Sequence, residues 1–402
     1  MKKNRVSFYF VTFLALIYFV SQFNRASLGA IPEMLIIEFS INNEQLGRLG
    51  GIFFLSFALV QIPVGILLDR FNPLKVILFM LLFILLGTLL LFIAKSYKML
   101  ILARILQGIG CGVCLMGPLV IIARYFSKNK FSQYSGYVMG LGGLGALFAT
   151  KPFYLITLKF GWRFGFLITA SFILLLILYI LYFLIKSNNK FYKNQNKPKL
   201  DFNCYLTIFS NRNFILMLPM SIFGYASFAF LLTLWGNRYL LEIQRLKGEQ
   251  ISEILMLMAL FWTIGSIFYG YLEKKFKKKN IVIVSTCIII LLLFVLGCFN
   301  NLSLISNYII FIFMGFTGAY TLIVISHYRV LFKEAIIGKV LTAANLFNFG
   351  GVFFIQWFTG FIIHIFVDNF NFQKQEGYSI SFLSLILFLL ISTFLYSKTD
   401  NV

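Results

Sequence analysis

The chain has 402 residues, of which 60% are hydrophobic and only 12% charged, with 50 phenylalanines. A soluble protein of this length cannot hide so much apolar surface, so the composition excludes that class and indicates a polytopic membrane protein. The net charge of +22 does not indicate nucleic acid, because the basic residues fall in short clusters between apolar runs, as positive-inside topology produces.

A hydrocarbon core of about 30 Å needs about 20 apolar residues per helix. On that ruler twelve spans are expected, at 8–36, 45–68, 74–94, 98–124, 132–157, 162–185, 214–240, 250–272, 280–298, 303–327, 337–366 and 378–397. Lys2, Lys3 and Arg5 precede an apolar run too long for a signal peptide and without a small-residue cleavage site, so the first span is expected to stay in the mature protein. The second span ends in a short polar turn containing Asp69, Arg70 and Lys75. A turn that short makes two membrane helices antiparallel neighbours. Cys111 and Cys114, two of the five cysteines, form a C-x-x-C inside the apolar fourth span. With no second ligand pair they read as small residues at a helix contact, and no metal or cofactor is expected.

Between spans six and seven the chain turns polar and basic, with KSNNKFYKNQNKPK at its start. This linker divides the sequence into a six-helix bundle at 1–185, a cytoplasmic linker at 186–213 and a second six-helix bundle at 214–402. Lys and Arg crowd one set of loops, with five lysines between Lys274 and Lys279, and thin out in the alternate set, where only Lys95, Lys98, Lys159, Arg163, Arg245, Lys247 and Lys374 stand. The crowded side is taken as cytoplasmic, with both termini there. The stretch Gly270 to Phe276 after span eight matches Gly65 to Phe71 after span two in its Gly, Leu, basic residue and Phe. Equal topology and this match indicate a duplicated six-helix unit, an arrangement that places a substrate cavity between repeats near the midplane.

With these motifs in place the sequence resembles the major facilitator superfamily over essentially its whole length. Gly65-x-Leu67-x-Asp69-Arg70-x-x-x-x-Lys75 matches the family's loop motif between the second and third helices. Arg104-x-x-Gln107-Gly108-x-Gly110 matches its fourth-helix motif, and Gly161-Trp162-Arg163 is a further marker. The first half, with Gln22 to Ser27 and Phe57 to Pro63, is similar to a bacterial subgroup of unassigned substrate. Span five carries Gly140 to Ala146 without the proline of the drug/proton antiporter motif, which argues against multidrug efflux. The resemblance implies that Gly65, Asp69, Arg70 and Lys75 gate the cytoplasmic side, and that Arg104 and Gln107 serve scaffold or coupling.

Charges inside spans cost about 2.5–3.5 kcal/mol each at a helix centre, so each needs a reason. Arg25, Arg104 and Lys151 lie at comparable depth in the first half, and no Asp or Glu lies deep there to neutralise them. Arg25 and Lys151 are expected to line a cavity that attracts an anion, since an Arg fork suits carboxylate or phosphate. The alternatives are pairing of Arg25 with Glu33, Glu38 or a backbone carbonyl at a helix break, and snorkelling of Lys151 to the interface. In the second half Asn345, Asn348 and Gln356 share a helical face. They either face a cavity or bond a neighbouring helix. Trp262 is a candidate cavity aromatic. Arg238 and Glu242, at i and i+4, are expected to form a local ion pair at the outer rim.

These readings converge on an all-α secondary transporter with two six-helix bundles, moving a small organic anion or amino acid by alternating access, with proton-coupled uptake as the expected mode. The alternatives are drug or metabolite efflux, neutral-solute uptake and a non-transporting receptor. No enzyme is expected, because the chain holds two histidines, no H-E-x-x-H and no nucleotide-binding loop. The expected partners are a small-molecule substrate, the lipid bilayer and protons, with the protein a monomer. Richness in Phe, Lys, Ile and Asn fits an AT-rich bacterial genome, hence an inner membrane.

Overall fold

The computed structural model describes residues 2–186, 203–333 and 336–400. Residues 187–202 of the expected linker lie outside the described residues, as do the side chains of Lys2, Lys3, Arg5 and Lys128. Among the described residues there is no strand. The helices are α1 (Lys2–Ala26), α2 (Pro32–Phe39), α3 (Asn43–Arg70), α4 (Pro73–Phe92), α5 (Tyr97–Cys111), α6 (Met116–Tyr125), α7 (Lys128–Phe148), α8 (Lys151–Phe160) and α9 (Trp162–Lys186). They continue with α10 (Asn203–Phe209), α11 (Arg212–Phe230), α12 (Gly236–Glu242), α13 (Gly248–Leu272), α14 (Lys278–Cys298), α15 (Leu304–Gly318), α16 (Thr321–Leu331), α17 (Ile337–Ile363) and α18 (Lys374–Ser397). A π-helical turn, Leu231–Trp235, joins α11 to α12.

Among the described residues eleven helical segments are long and apolar enough to cross a membrane. The first expected span is not one of them. It is α1, a 3-10 turn at Ser27–Ala30 and then α2, and the side chains of its first residues lie outside those described. Several other spans are broken. The fourth divides into α5 and α6 around Gly112, and its counterpart in the second half divides into α15 and α16 at Ala319 and Tyr320. Matching breaks in matching spans fit a duplicated unit. The fifth span divides at Ala149 and Thr150, just ahead of Pro152, because a proline is accepted in a first helical turn and not in a helix interior.

The turns follow from the sequence. Asn72 caps α4 by accepting the Leu74 N–H at 2.9 Å, with Pro73 in the first turn. Asn211 caps α11 in the same way through Asn213 and Phe214. Gly161 joins α8 to α9 at φ +83°, a conformation that favours glycine. Trp162 then opens α9. Arg163 lays its guanidinium 4.4 Å from the Trp162 ring centre and donates to the Ala94 carbonyl at 2.6 Å. The Gly-Trp-Arg marker is therefore a turn, a helix start and a tether.

The chain forms two compact units. The first holds Met1–Ser27 and Leu59–Leu200, the second Leu28–Ala58 and Asp201–Val402. Residues 43–58 of α3 thus belong to the second unit and the remainder of that helix to the first.

Candidate functional site

In the first unit the end of α1 is a run of buried polar residues: Ser21, Gln22, Asn24, Arg25 and Ser27. Arg104 on α5 is fully buried beside them. Its Nη1 donates to the Asn24 carbonyl at 2.8 Å and to Gln107 Oε1 at 3.0 Å. Gln107 Nε2 in turn donates to Thr88 Oγ1 on α4 at 3.1 Å, and Thr88 donates to Ile84 O at 2.8 Å. This chain of bonds ties three helices together around one guanidinium. Its geometry requires α4 and α5 to lie close, and Gly87 permits it. A Cβ at Gly87 would stand 2.6 Å from Ala103 O and 2.9 Å from Gln107 Cγ. Arg104 and Gln107 thus link α1, α4 and α5.

Arg25 is 8% exposed. Cys114 donates weakly to Gly110 O at 3.8 Å. Both thiols are free and buried, at the α5–α6 break. Among the described residues no cluster of three metal-ligating side chains occurs. Lys151, half-buried, is the first residue of α8 at the break in the fifth span.

The second unit has its own polar seam. Gln356 on α17 is fully buried. Its Nε2 donates to Thr233 Oγ1 at 2.6 Å, and its backbone carbonyl accepts the Trp235 indole N–H at 3.0 Å. Of the two sequence readings for this amide, bonding to a neighbouring helix is the one seen. A stripe of glycines on α3 meets this seam. A Cβ at Gly47 would overlap Gln356 O, one at Gly50 would stand 2.6 Å from Leu234 Cδ2, and one at Gly51 would stand 2.9 Å from Phe353. Small residues at this spacing let helix backbones approach closely. Asn345 and Asn348, on the same helix as Gln356, are half-buried. Trp262 is half-buried and stacks on Phe228 at 5.9 Å.

Beyond that seam a charge cluster joins three helices. Arg238 pairs with Glu242 at 2.6 Å, as i,i+4 spacing predicts, and also contacts Glu33 of α2. Glu242 further accepts from Lys374 at 2.6 Å and from the Tyr378 hydroxyl at 2.8 Å. Glu33, which the sequence offers as one partner for Arg25, is engaged by Arg238. Glu242 is a buried carboxylate that sequence reading undervalued. Only its i−4 partner was visible, while Lys374 and Tyr378 come from more than a hundred residues away.

The repeated loops carry matching contacts. Asp69 at the end of α3 lies 3.8 Å from Arg124 at the end of α6, and Arg124 donates to Leu68 O at 2.9 Å. Glu273, just past α13, pairs with Lys278 at 2.9 Å and accepts from Ser326 on α16. Burial pushes the Glu273 carboxyl up, but the hydrogen bonds from Ser326 and Lys278, with the charges of Lys278 and Arg329, outweigh it and hold the group below its ordinary value of 4.5. Arg70 is half-buried at the end of α3 and Lys75 exposed in the first turn of α4. Among the described residues no atom stands within 4 Å of a Cβ placed on Gly65 or on Gly270.

These helices, breaks and paired loops define a transporter class. Residues 14–354 match the family model described as Major Facilitator Superfamily, and the chain belongs to that family. Among its relatives, the "Uncharacterized MFS-type transporter YbcL" of Bacillus subtilis is 24% identical over 265 residues, covering 65% of each chain. The "Probable sulfoacetate transporter SauU" of Cupriavidus necator is 25% identical over 162 residues, 39% of this chain and 37% of that one. The "Probable L-galactonate transporter" of Escherichia coli is 23% identical over 290 residues, 67% of this chain and 63% of that one. Each alignment spans less than two thirds of the relative's own length. A bacterial homolog to the human lysosomal transporter Spinster, solved in an inward-facing and unoccupied conformation, has a TM-score of 0.77 at 17% identity over 97% of this chain and 96% of that one. A D-xylose-proton symporter has a TM-score of 0.75 at 16% identity over 95% of this chain and 97% of that one. At those identities the likeness is one of fold.

Proposed function

We propose that this small-solute transporter carries an organic anion or amino acid across a bacterial inner membrane by proton-coupled uptake, working as a monomer. In this reading α1 with α2 supplies a twelfth span, and six-helix bundles at 1–185 and 214–402 rock with both termini cytoplasmic. The observation that carries the cargo class is Arg25. It is a cation buried at the end of α1, next to a guanidinium already occupied by Asn24 and Gln107. An Arg fork suits a carboxylate or sulfonate, and Lys151 adds a second positive group. The names of two relatives, for sulfoacetate and L-galactonate, are of the same chemical kind. Asn345 and Trp262, half-buried, are assigned to the cargo's uncharged part. Gln356 joins them when α3 moves off α17.

Proton coupling needs a carboxylate that changes partners. Glu33 and Glu242 share Arg238, and Glu33 lies on the segment that the chain must carry between conformations. Protonation of Glu33 would release Arg238 and so favour opening of that seam.

The test is a thermal-shift screen of the purified protein against anionic, zwitterionic, neutral and cationic metabolites. A ligand at a hundred times its Kd stabilises by about 2.7 kcal/mol. Carboxylates are expected to raise the Tm of the wild type and to lose that effect in Arg25→Gln and Lys151→Gln. If only neutral or cationic compounds act, and their shifts survive both substitutions, the cargo class is wrong.

A further inference from the structure

A cavity of about 150 Å³ lies within the first unit, between α1, the α7–α8 break and α9. Phe19 and Phe23 come from α1, Phe148 and Phe153 from either side of the break, and Ile168 and Thr169 from α9. The break itself shapes the space, because α8 restarts at Lys151 and aims Phe153 at α9. Gly165 receives that ring: a Cβ there would stand 2.5 Å from Phe153 Cε2. The single polar side chain on the wall is Thr169, whose hydroxyl donates to Gly165 O at 2.9 Å within its own helix. The side chains of the described wall are therefore almost wholly apolar. An apolar cavity of this size does not hold water; a comparable engineered one stays dry and takes up benzene. Left empty, the lining would lose its dispersion contacts on one side. The cavity has an open side, and its rim residues Phe148 and Ile168 are 53% and 44% exposed. They continue into the exposed Leu155, Leu158 and Leu175 of the same helices, the apolar surface that a membrane protein turns to hydrocarbon.

We propose that this cavity is a binding site for one acyl chain of a bilayer phospholipid. Nothing in the lining recognises the anionic cargo argued above, so this site stands apart from the transport site. The occupant is a hydrocarbon chain because apolar area is all the cavity has to offer, and because its mouth is continuous with the surface that hydrocarbon covers. The bound chain would fill the space beside the Ala149–Thr150 break and support the fifth span where its helical hydrogen bonding is interrupted.

The experiment is native mass spectrometry of the full chain released from mild detergent after purification from phospholipid nanodiscs. The wild type is expected to retain one phospholipid through a collision-energy range in which Thr169→Phe, which fills the cavity, retains none. Should Thr169→Phe fail to fold, Ile156→Phe from the opposite wall serves the same purpose. A benzophenone side chain placed at Phe172 supplies a second readout. On irradiation it is expected to form an adduct whose mass is that of a phospholipid, at a yield at least five times lower in the filled variant. Equal lipid retention by wild type and filled variants would overturn the proposal. So would an adduct with detergent or with an added organic anion in place of phospholipid.

Discussion

The glycine stripe on α3 makes the sharpest prediction. A methyl group at Gly47 would overlap the carbonyl oxygen of Gln356 and stand 3.3 Å from Gly360 Cα. Both obstacles are backbone, so no rotamer change relieves the overlap, and the same carbonyl is held by the Trp235 indole N–H. Residues 43–58 must therefore back away from α17. Overpacking of this kind costs about 1–3 kcal/mol. If the cost falls only on the conformation with this seam closed, the equilibrium moves about 5–150-fold toward one in which it is open. The assay is a spin–spin distance measurement with nitroxides at Ile37 on α2 and at Gln373 ahead of α18, both exposed. Gly47→Ala is expected to move most of the distance distribution to longer values. A distribution unchanged from wild type, together with unchanged transport, would refute the reasoning. Gly65→Ala is the control, since its Cβ meets no described atom within 4 Å.

Three further predictions follow from the same geometry. Gln107→Leu removes one acceptor from buried Arg104 and leaves Thr88 without its donor, so it is expected to lower stability by about 1–3 kcal/mol in a detergent melt; no change would mean that the network does not hold α4 to α5. Gly65→Leu and Gly270→Leu should leave the melting temperature near wild type, because no described atom stands within 4 Å of either Cβ, yet slow transport if these loops close in the proposed alternating access; normal transport by both would count against such a closure. Glu273 has a folded-state pKa below its ordinary 4.5. Its contribution to stability is thus fully present above about pH 4.5 and is lost as pH falls through the lower folded value. The melting temperature of the wild type should then fall below pH 4.5 more steeply than that of Glu273→Gln, and parallel curves would show that the Ser326 and Lys278 contacts contribute nothing.

Helix spans were legible because twenty apolar residues in a row have few other uses, and hairpin turns because Asn72-Pro73 and Gly161 are local signals. The breaks were less so. Pro152 marks the one in the fifth span, but the α5–α6 and α15–α16 breaks carry no proline and rest on tertiary packing. Arg104 and Gln107 stood out through the family's fourth-helix motif, while their partners Asn24 and Thr88 did not, since a backbone carbonyl and a distant hydroxyl leave no sequence pattern. Gln356 illustrates the limit best. An amide on an apolar face announces that it needs a partner, but Thr233, which accepts from its Nε2, lies 123 residues away and leaves no local pattern.

The central claim is transport of an organic anion driven by a proton gradient. The direct measurement is uptake of labelled galactonate, sulfoacetate and lactate into proteoliposomes holding the purified chain, with and without an inward proton gradient. The account predicts accumulation of at least one of them above equilibrium only with the gradient, abolished in Arg25→Gln and no longer dependent on the gradient in Glu33→Gln. Uptake of a neutral solute in their place, or anion uptake that Arg25→Gln leaves intact, would contradict it.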